Sequence, residues 1–257
     1  MGGLPVMRQP IVVGNWKMFT TAAVARRLAA DVVKDLSRET RVRVVLCPPA
    51  PYLGIVGEVV SSTTVALGAQ NVYPEKEGAF TGEIGVGMLL DLGCRYVIVG
   101  HSERRHLLGE DDPFINRKIR AALAAGLEVI FCVGETLEQR RGSETRTCLE
   151  CQLDGALAGL IAEQVRHVVV AYEPVWAIGT GVHASPEQAQ EAAAEIRELV
   201  QERFGEGPAR ALPILDGGSV NAANAATLMH LPDIDGVLIG HASLEADQFL
   251  SIVRSAL

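Results

Sequence analysis

Positive charge is scarce in this chain. Its 23 Lys and Arg stand against 31 Asp and Glu, a formal net charge of −8. Non-specific nucleic-acid binding needs a basic face to neutralise phosphates, so that class is excluded. Docking on an anionic membrane is disfavoured for the same reason. Cysteine is scarce as well. Five residues, an odd number over 257 positions, do not describe a disulfide framework and point to a reducing cytoplasm. No uncharged apolar run reaches the ~18 residues that span a bilayer. Met1 to Pro10 lacks the basic-then-apolar pattern of a secretory leader. Linkers, low-complexity runs and clusters of metal-ligating residues are also missing.

What is present is an ordinary globular composition, 48% apolar and 21% charged. A chain of this length can bury a large core. Eight short apolar runs stand out: Ile11–Gly14, Val42–Cys47, Thr64–Ala69, Tyr96–Gly100, Leu127–Val133, His167–Tyr172, Leu212–Leu215 and Gly236–Gly240. They are continuously apolar rather than alternating, as strands buried on both faces are. Amphipathic stretches separate them, such as Val24, Leu28, Val32 and Leu36 with Arg26, Arg27, Lys34 and Arg38 off the stripe. Ser185-Pro186-Glu187-Gln188 reads as an N-cap, a first-position Pro and a capping box. The strand ends recur every ~32 residues, and one strand–helix–strand unit needs ~30 or more. Eight such units with no second core predict an α/β protein, a single (β/α)8 barrel over residues 1–257. An open doubly wound sheet is the alternative. It lacks an antiparallel edge and a good dinucleotide fingerprint.

Barrel enzymes carry their chemistry at the carboxyl ends of the strands. Asn15-Trp16-Lys17 follows the first run, His101-Ser102-Glu103 the fourth, Glu173-Pro174 the sixth, Gly217-Gly218-Ser219 the seventh and Gly240-His241 the eighth. A carboxylate at Glu173, after an apolar strand, is partly desolvated. That raises its pKa and suits it to act as a base. His101 opens a helix near Ser102, whose positive end favours neutral imidazole. Lys17 offers a fixed charge for an oxyanion or phosphate. The glycine turns expose backbone N–H groups of the kind that hold a phosphate. Each residue alone has a plainer reading: a solvated rim lysine, a helix-start histidine, a capping carboxylate. Three ionisable types converging on one rim favour chemistry. Gly179-Thr180-Gly181-Val182-His183-Ala184 fits G-x-G-x-x-A but does not follow a strand directly. Cys148-Leu149-Glu150-Cys151 has no second pair for zinc. His106, His167, His183 and His230 show no partner pattern.

Six ordered blocks together resemble the triosephosphate isomerase family over nearly the whole chain. They are Gly14-Asn15-Trp16-Lys17-Met18, Gly68-Ala69-Gln70-Asn71, Gly78-Ala79-Phe80-Thr81-Gly82-Glu83, Gly100-His101-Ser102-Glu103-Arg104-Arg105, Cys132-Val133-Gly134-Glu135-Thr136 and Ala171-Tyr172-Glu173-Pro174-Val175-Trp176-Ala177-Ile178-Gly179-Thr180-Gly181. The resemblance implies a TIM barrel that interconverts dihydroxyacetone phosphate and glyceraldehyde 3-phosphate with no metal and no cofactor. It implies Glu173 as the base, His101 as the electrophile, Lys17 as the charge stabiliser and Asn15 as a positioner of substrate oxygens. Glu103 stands behind Lys17. Gly179, Ser219, Gly240 and His241 are implied to hold the phosphate through backbone N–H groups. The segment Val175 to Thr180 is implied to be a lid. The loop Gln70 to Glu83, with Phe80 and Thr81 at its tip, is implied to insert into a second subunit of a homodimer.

Three positions depart from the family pattern. Asp216 stands where a Tyr is common, and an ionised Asp cannot donate the hydrogen bond that helps latch the lid. His241 replaces a common Gly, which matters if the backbone there needs positive φ. Phe19 replaces a common Asn near the subunit interface. Other readings are an isomerase of a four-carbon sugar phosphate, a Schiff-base lyase using Lys17, and a non-catalytic binding barrel. Lys17 has no obvious apolar shell for the lyase.

Overall fold

The computed structural model describes residues 8–36, 38–177 and 184–257. Eight strands form β1 (Ile11–Asn15), β2 (Arg43–Cys47), β3 (Ala66–Ala69), β4 (Tyr96–Val99), β5 (Glu128–Val133), β6 (Val168–Tyr172), β7 (Ile214–Asp216) and β8 (Gly236–Ile239). They close in sequence order into one barrel, and every neighbouring pair is parallel. All eight expected runs become strands, and the barrel expected from their spacing is the architecture observed.

The core has two layers. Ile11, Val13, Val45, Ile98, Ile130, Val169, Leu215 and Leu238 fill the barrel interior. Val12, Val44, Leu46, Val97, Val129, Val170 and Val237 face the surrounding helices. Both faces of each strand are therefore dry, which removes any polar alternation from the sequence. Burying side chains of this size stabilises by ~1.5–3 kcal/mol each relative to exposure.

Strand ends differ from the sequence reading by a residue or two. In β7 the ladder begins after Pro213, whose missing N–H cannot join it, and Pro213 serves as acceptor for Val170 N instead. It also runs through Asp216, one residue further than expected. In the helix Ala22–Leu36 the buried stripe is Ala25, Leu28, Ala29, Val32 and Leu36. Val24 sits at its edge, half-buried. The helix Pro186–Phe204 starts as expected. Ser185 Oγ accepts from Gln188 N at 3.2 Å, and Ser185 N donates to Gln188 Oε1 at 2.9 Å.

The long connection after β3 is pinned at its base by a bridge between Tyr73 and Gly85. Tyr73 and Phe80 pack ring to ring at 4.6 Å within it. Ser185→Ala removes one side of the capping box. The expected loss is about 1 kcal/mol, a melting-temperature drop of ~2–4 °C for a chain of this size, measured by calorimetry with activity retained.

Candidate active site

The polar groups gather where the strands end. Asn15, the last residue of β1, is buried, and its Oδ1 accepts from Lys17 N at 3.0 Å. Lys17 is thereby held at φ 49°, a left-handed conformation that costs a non-glycine residue free energy. Gln70, just after β3, secures the same turn from the other side. Its Nε2 donates to the carbonyls of Lys17 and Cys47, each at 2.9 Å. The Lys17 ammonium lies 2.6 Å from Glu103 Oε1. Its stem crosses Gly240 at the end of β8, where a Cβ would approach Lys17 Cε to 3.2 Å. The first and last strands thus meet at one cation.

His101 follows β4 and caps the helix Ser102–Leu108. Its Nδ1 accepts from Glu103 N at 3.2 Å. That bond assigns the ring proton to Nε2 in the neutral tautomer. Nε2 points at Glu173 Oε1, 3.0 Å away. Ser102 N donates to the other carboxylate oxygen, Oε2, at 2.8 Å. Glu173 is only 2% exposed. Its backbone passes so close to Gly134 that a Cβ there would sit 1.8 Å from the Glu173 carbonyl oxygen.

Burial pushes the Glu173 pKa up, as its place after an apolar strand implied. His101, the Ser102 N–H and Lys17 pull it down by more, so the net direction is down and Glu173 is a carboxylate. On His101, burial pushes the imidazolium down while Glu173 and Glu103 pull it up by more. The upward pull depends on Glu173 staying in contact. When Glu173 turns to another proton donor, burial, Lys17 and the helix N-terminus favour the neutral ring.

Ser219 lies in the turn after β7, with its carbonyl accepting from Asn224 Nδ2 at 3.0 Å. His241 opens the short helix His241–Leu244 after Gly240. Among the described residues only Lys17, Thr20 and Ser143 are non-glycines with positive φ. His241 therefore fits its backbone without strain, and the concern raised by its departure from Gly does not arise. Gly179 lies outside the described residues, as do Ile178 and Thr180 of the expected lid. Val175–Ala177 form one turn of 3-10 helix. A cavity of about 420 Å³ is lined by Asn15, Lys17, Gln70, His101 and Glu103.

Two residues of this rim had no assigned role in the sequence reading. Gln70 is one. The other is Glu135, fully buried, which accepts from Tyr172 Oη at 3.0 Å and from Trp176 Nε1 at 2.9 Å, with Arg140 Nη1 at 3.5 Å. Both come within two residues of a strand end, the same signal that found Lys17. The Cys148–Cys151 pair lies on the helix Thr145–Ala156. Burial pushes the Cys148 thiol up to about 11, away from thiolate reactivity.

Gly134→Ala is expected to cost at least about 3 kcal/mol by overpacking and to abolish activity by displacing Glu173. Gly207→Ala, in open space, is the control. Chemical denaturation of both variants compares them.

The triosephosphate isomerase family profile matches residues 10–256. The chain is 51% identical over 248 residues to the triosephosphate isomerase of Roseiflexus sp. (strain RS-1), covering 96% of this chain and 98% of that protein. It is 48% identical over 251 residues to that of Carboxydothermus hydrogenoformans, covering 98% and 100%. It is 48% identical over 249 residues to that of Rhodopirellula baltica, covering 97% and 98%.

Proposed function

Because the chain belongs to the triosephosphate isomerase family, we propose that it interconverts dihydroxyacetone phosphate and D-glyceraldehyde 3-phosphate through an enediol(ate), the aldose–ketose step shared by glycolysis and gluconeogenesis. The observation that carries this reading is the 3.0 Å contact of His101 Nε2 with Glu173 Oε1 on a rim shared with Lys17.

Glu173 is the base. It takes a proton from C1 of the ketose and returns it to C2, or the reverse. His101 Nε2–H donates to the oxygen that gains charge and then recovers a proton from the neighbouring oxygen. A positioned acid or base contributes ~10²–10⁴ in rate. Lys17 stabilises the negative charge of the enediolate, an electrostatic role that is strongest in a water-excluded site. Asn15 keeps Lys17 in place and faces the substrate oxygens. Glu103, paired with Lys17, sets the direction of its ammonium. The phosphate rests on the turns after β7 and β8, at Ser219, Gly240 and His241, with Gly179 completing the set. These groups supply acid, base and charge stabilisation, so the reaction needs no metal or organic cofactor.

The lyase reading loses ground because Lys17 sits against a carboxylate, the opposite of the apolar shell that frees a lysine for Schiff-base chemistry. Nothing at the rim favours a four-carbon sugar phosphate.

A homodimer is part of the proposal. Met18 is 94% exposed, Leu107 77%, Leu108 64% and Phe80 39%. They follow β1, β4 and β3, and Met18 and Leu108 line one cavity. Apolar exposure of this kind supports an interaction surface. The loop over residues 70–83 is the segment that enters the second copy. Phe19, also exposed, extends the same surface. A cytoplasmic location is supported by five unpaired cysteines. Among the described residues no helix is long and apolar enough to cross a membrane.

Glu173→Asp withdraws the carboxylate by roughly a methylene. A displacement of this size costs ~10²-fold, so kcat should fall about 100-fold in coupled assays run in both directions, with KM little changed. Full activity would remove Glu173 as the base. Phe80→Asp places a charge on the loop tip. Sedimentation should show a dimer for the parent and a monomer of much lower activity for the variant; a parent monomer at micromolar concentration would end the dimer proposal.

A further inference from the structure

Asp216 is a buried carboxyl with no assigned task. It ends β7, directly before the Gly217-Gly218-Ser219 turn, and is only 3% exposed. Along the strand Ile214 packs outward and Leu215 inward, so Asp216 faces outward beside its register partner Tyr172. Its Oδ2 accepts one long hydrogen bond, 3.3 Å, from Gly218 N. Among the described residues its Oδ1 is buried without a hydrogen-bond partner.

Among the described residues, nothing around Asp216 balances a negative charge. From β6 come Tyr172, whose hydroxyl is already given to Glu135, and Glu173 beyond Gly217. From β8 comes Val237. The helix Pro186–Phe204 presents Ala189, Ala192 and Ala193 on its buried face. Arg140 is spent on Glu135 and Glu191. Among the described residues no Lys, Arg or His pairs with Asp216. A carboxylate in such a place is costly, and the acid form is the cheaper state.

We propose that Asp216 is a positioning residue of the phosphate turn that works as a neutral carboxylic acid: Oδ2 accepts from Gly218 N, Oδ1–H is a donor held in reserve at the rim, and loss of the proton sets a buried anion under the turn that repels a doubly charged ligand. The inference rests on the reading that the substrate phosphate binds at Ser219 and Gly240. It revises the expectation of an ionised Asp at this position. Burial, opposed by the Gly218 N–H, pushes the carboxyl up to about 7, so the proton is lost as the pH rises through that value.

Sulfate is the probe, since it stays a dianion from pH 5.5 to 8.5 whereas a phosphate monoester does not. Its competitive inhibition constant against the triose phosphate is measured across that range for the parent and for Asp216→Asn, which keeps the shape and cannot ionise. The parent should bind sulfate on the order of tenfold more weakly at pH 8.5 than at pH 5.5, the scale of one charge roughly 6 Å from a dianion at the dielectric of water, about 80. Asp216→Asn should keep the tighter binding at pH 8.5, and the pH effect should appear in KM more than in kcat. A parent constant that does not change with pH overturns the proposal and leaves the isomerase reading intact. A fall that persists in the amide variant assigns it to another group and also overturns it. If sulfate inhibits neither protein, the phosphate-turn reading fails and the proposal with it. Should the variant not fold, infrared spectra of the parent with isotope-labelled Asp decide: a buried carboxylic-acid band must vanish with the same midpoint as sulfate affinity. A second readout is stability. An acid whose folded pKa lies above the ordinary 3.8 favours folding at low pH and loses that benefit as pH rises to about 7. The parent should therefore lose melting temperature relative to Asp216→Asn between about pH 4 and 7, then level off.

Discussion

Parallel closure buries both faces of every strand, and the rest of the molecule follows from that constraint. With the barrel interior and the helix layer both dry, a strand can present polar atoms only where its ladder stops. Asn15, Glu173, Asp216 and the residues just past Ala69, Val99 and Val133 all occupy such stops. Short strands make the stops converge. Chemistry is therefore concentrated on one rim because the aliphatic body below excludes it.

Convergence explains how groups of opposite preference share a small space. Glu173 is buried yet ionised because two N–H donors meet its two oxygens. Both donors come from the start of one short helix. His101 is oriented by the same helix, through the Glu103 amide. One helix N-terminus thus sets the charge state of Glu173 and the tautomer of His101 together. The Lys17 backbone is held by an Asn on one side and a Gln on the other. Glu103 ties the two groups together, its amide on His101 and its carboxylate on Lys17.

The barrel was legible in the sequence because aliphatic runs recur at a regular spacing and nothing else in the chain competes for a core. Glu173, His101 and Lys17 were legible because each is the first ionisable residue after such a run. Strand limits were less so: Pro213 blocks the ladder in β7, while the run of apolar letters continues through it. Glu135 was hidden because its partners Tyr172 and Trp176 lie 37 and 41 residues away, a separation no local pattern reports. The Asp216 environment was hidden for a similar reason. Its identity is plain in the sequence, but the lack of a counter-charge is a property of four packed elements. The net pKa direction at Glu173 also needed the fold, since burial and donor contacts act with opposite sign.

The crossing of Lys17 over Gly240 has a consequence for how the molecule assembles. β1 and β8 pair Ile11 with Gly236, the contact of greatest sequence separation in the sheet. Joining ends so far apart carries a large loop-closure entropy, and contacts of high order form late. His101 and Glu173 follow β4 and β6 and can meet before the ring is shut. Lys17 finds its seat over Gly240 only when the seam closes. A chain stalled with an open seam would hold His101 against Glu173 but leave Lys17 unseated, so the completeness of this rim reports the closure of the barrel.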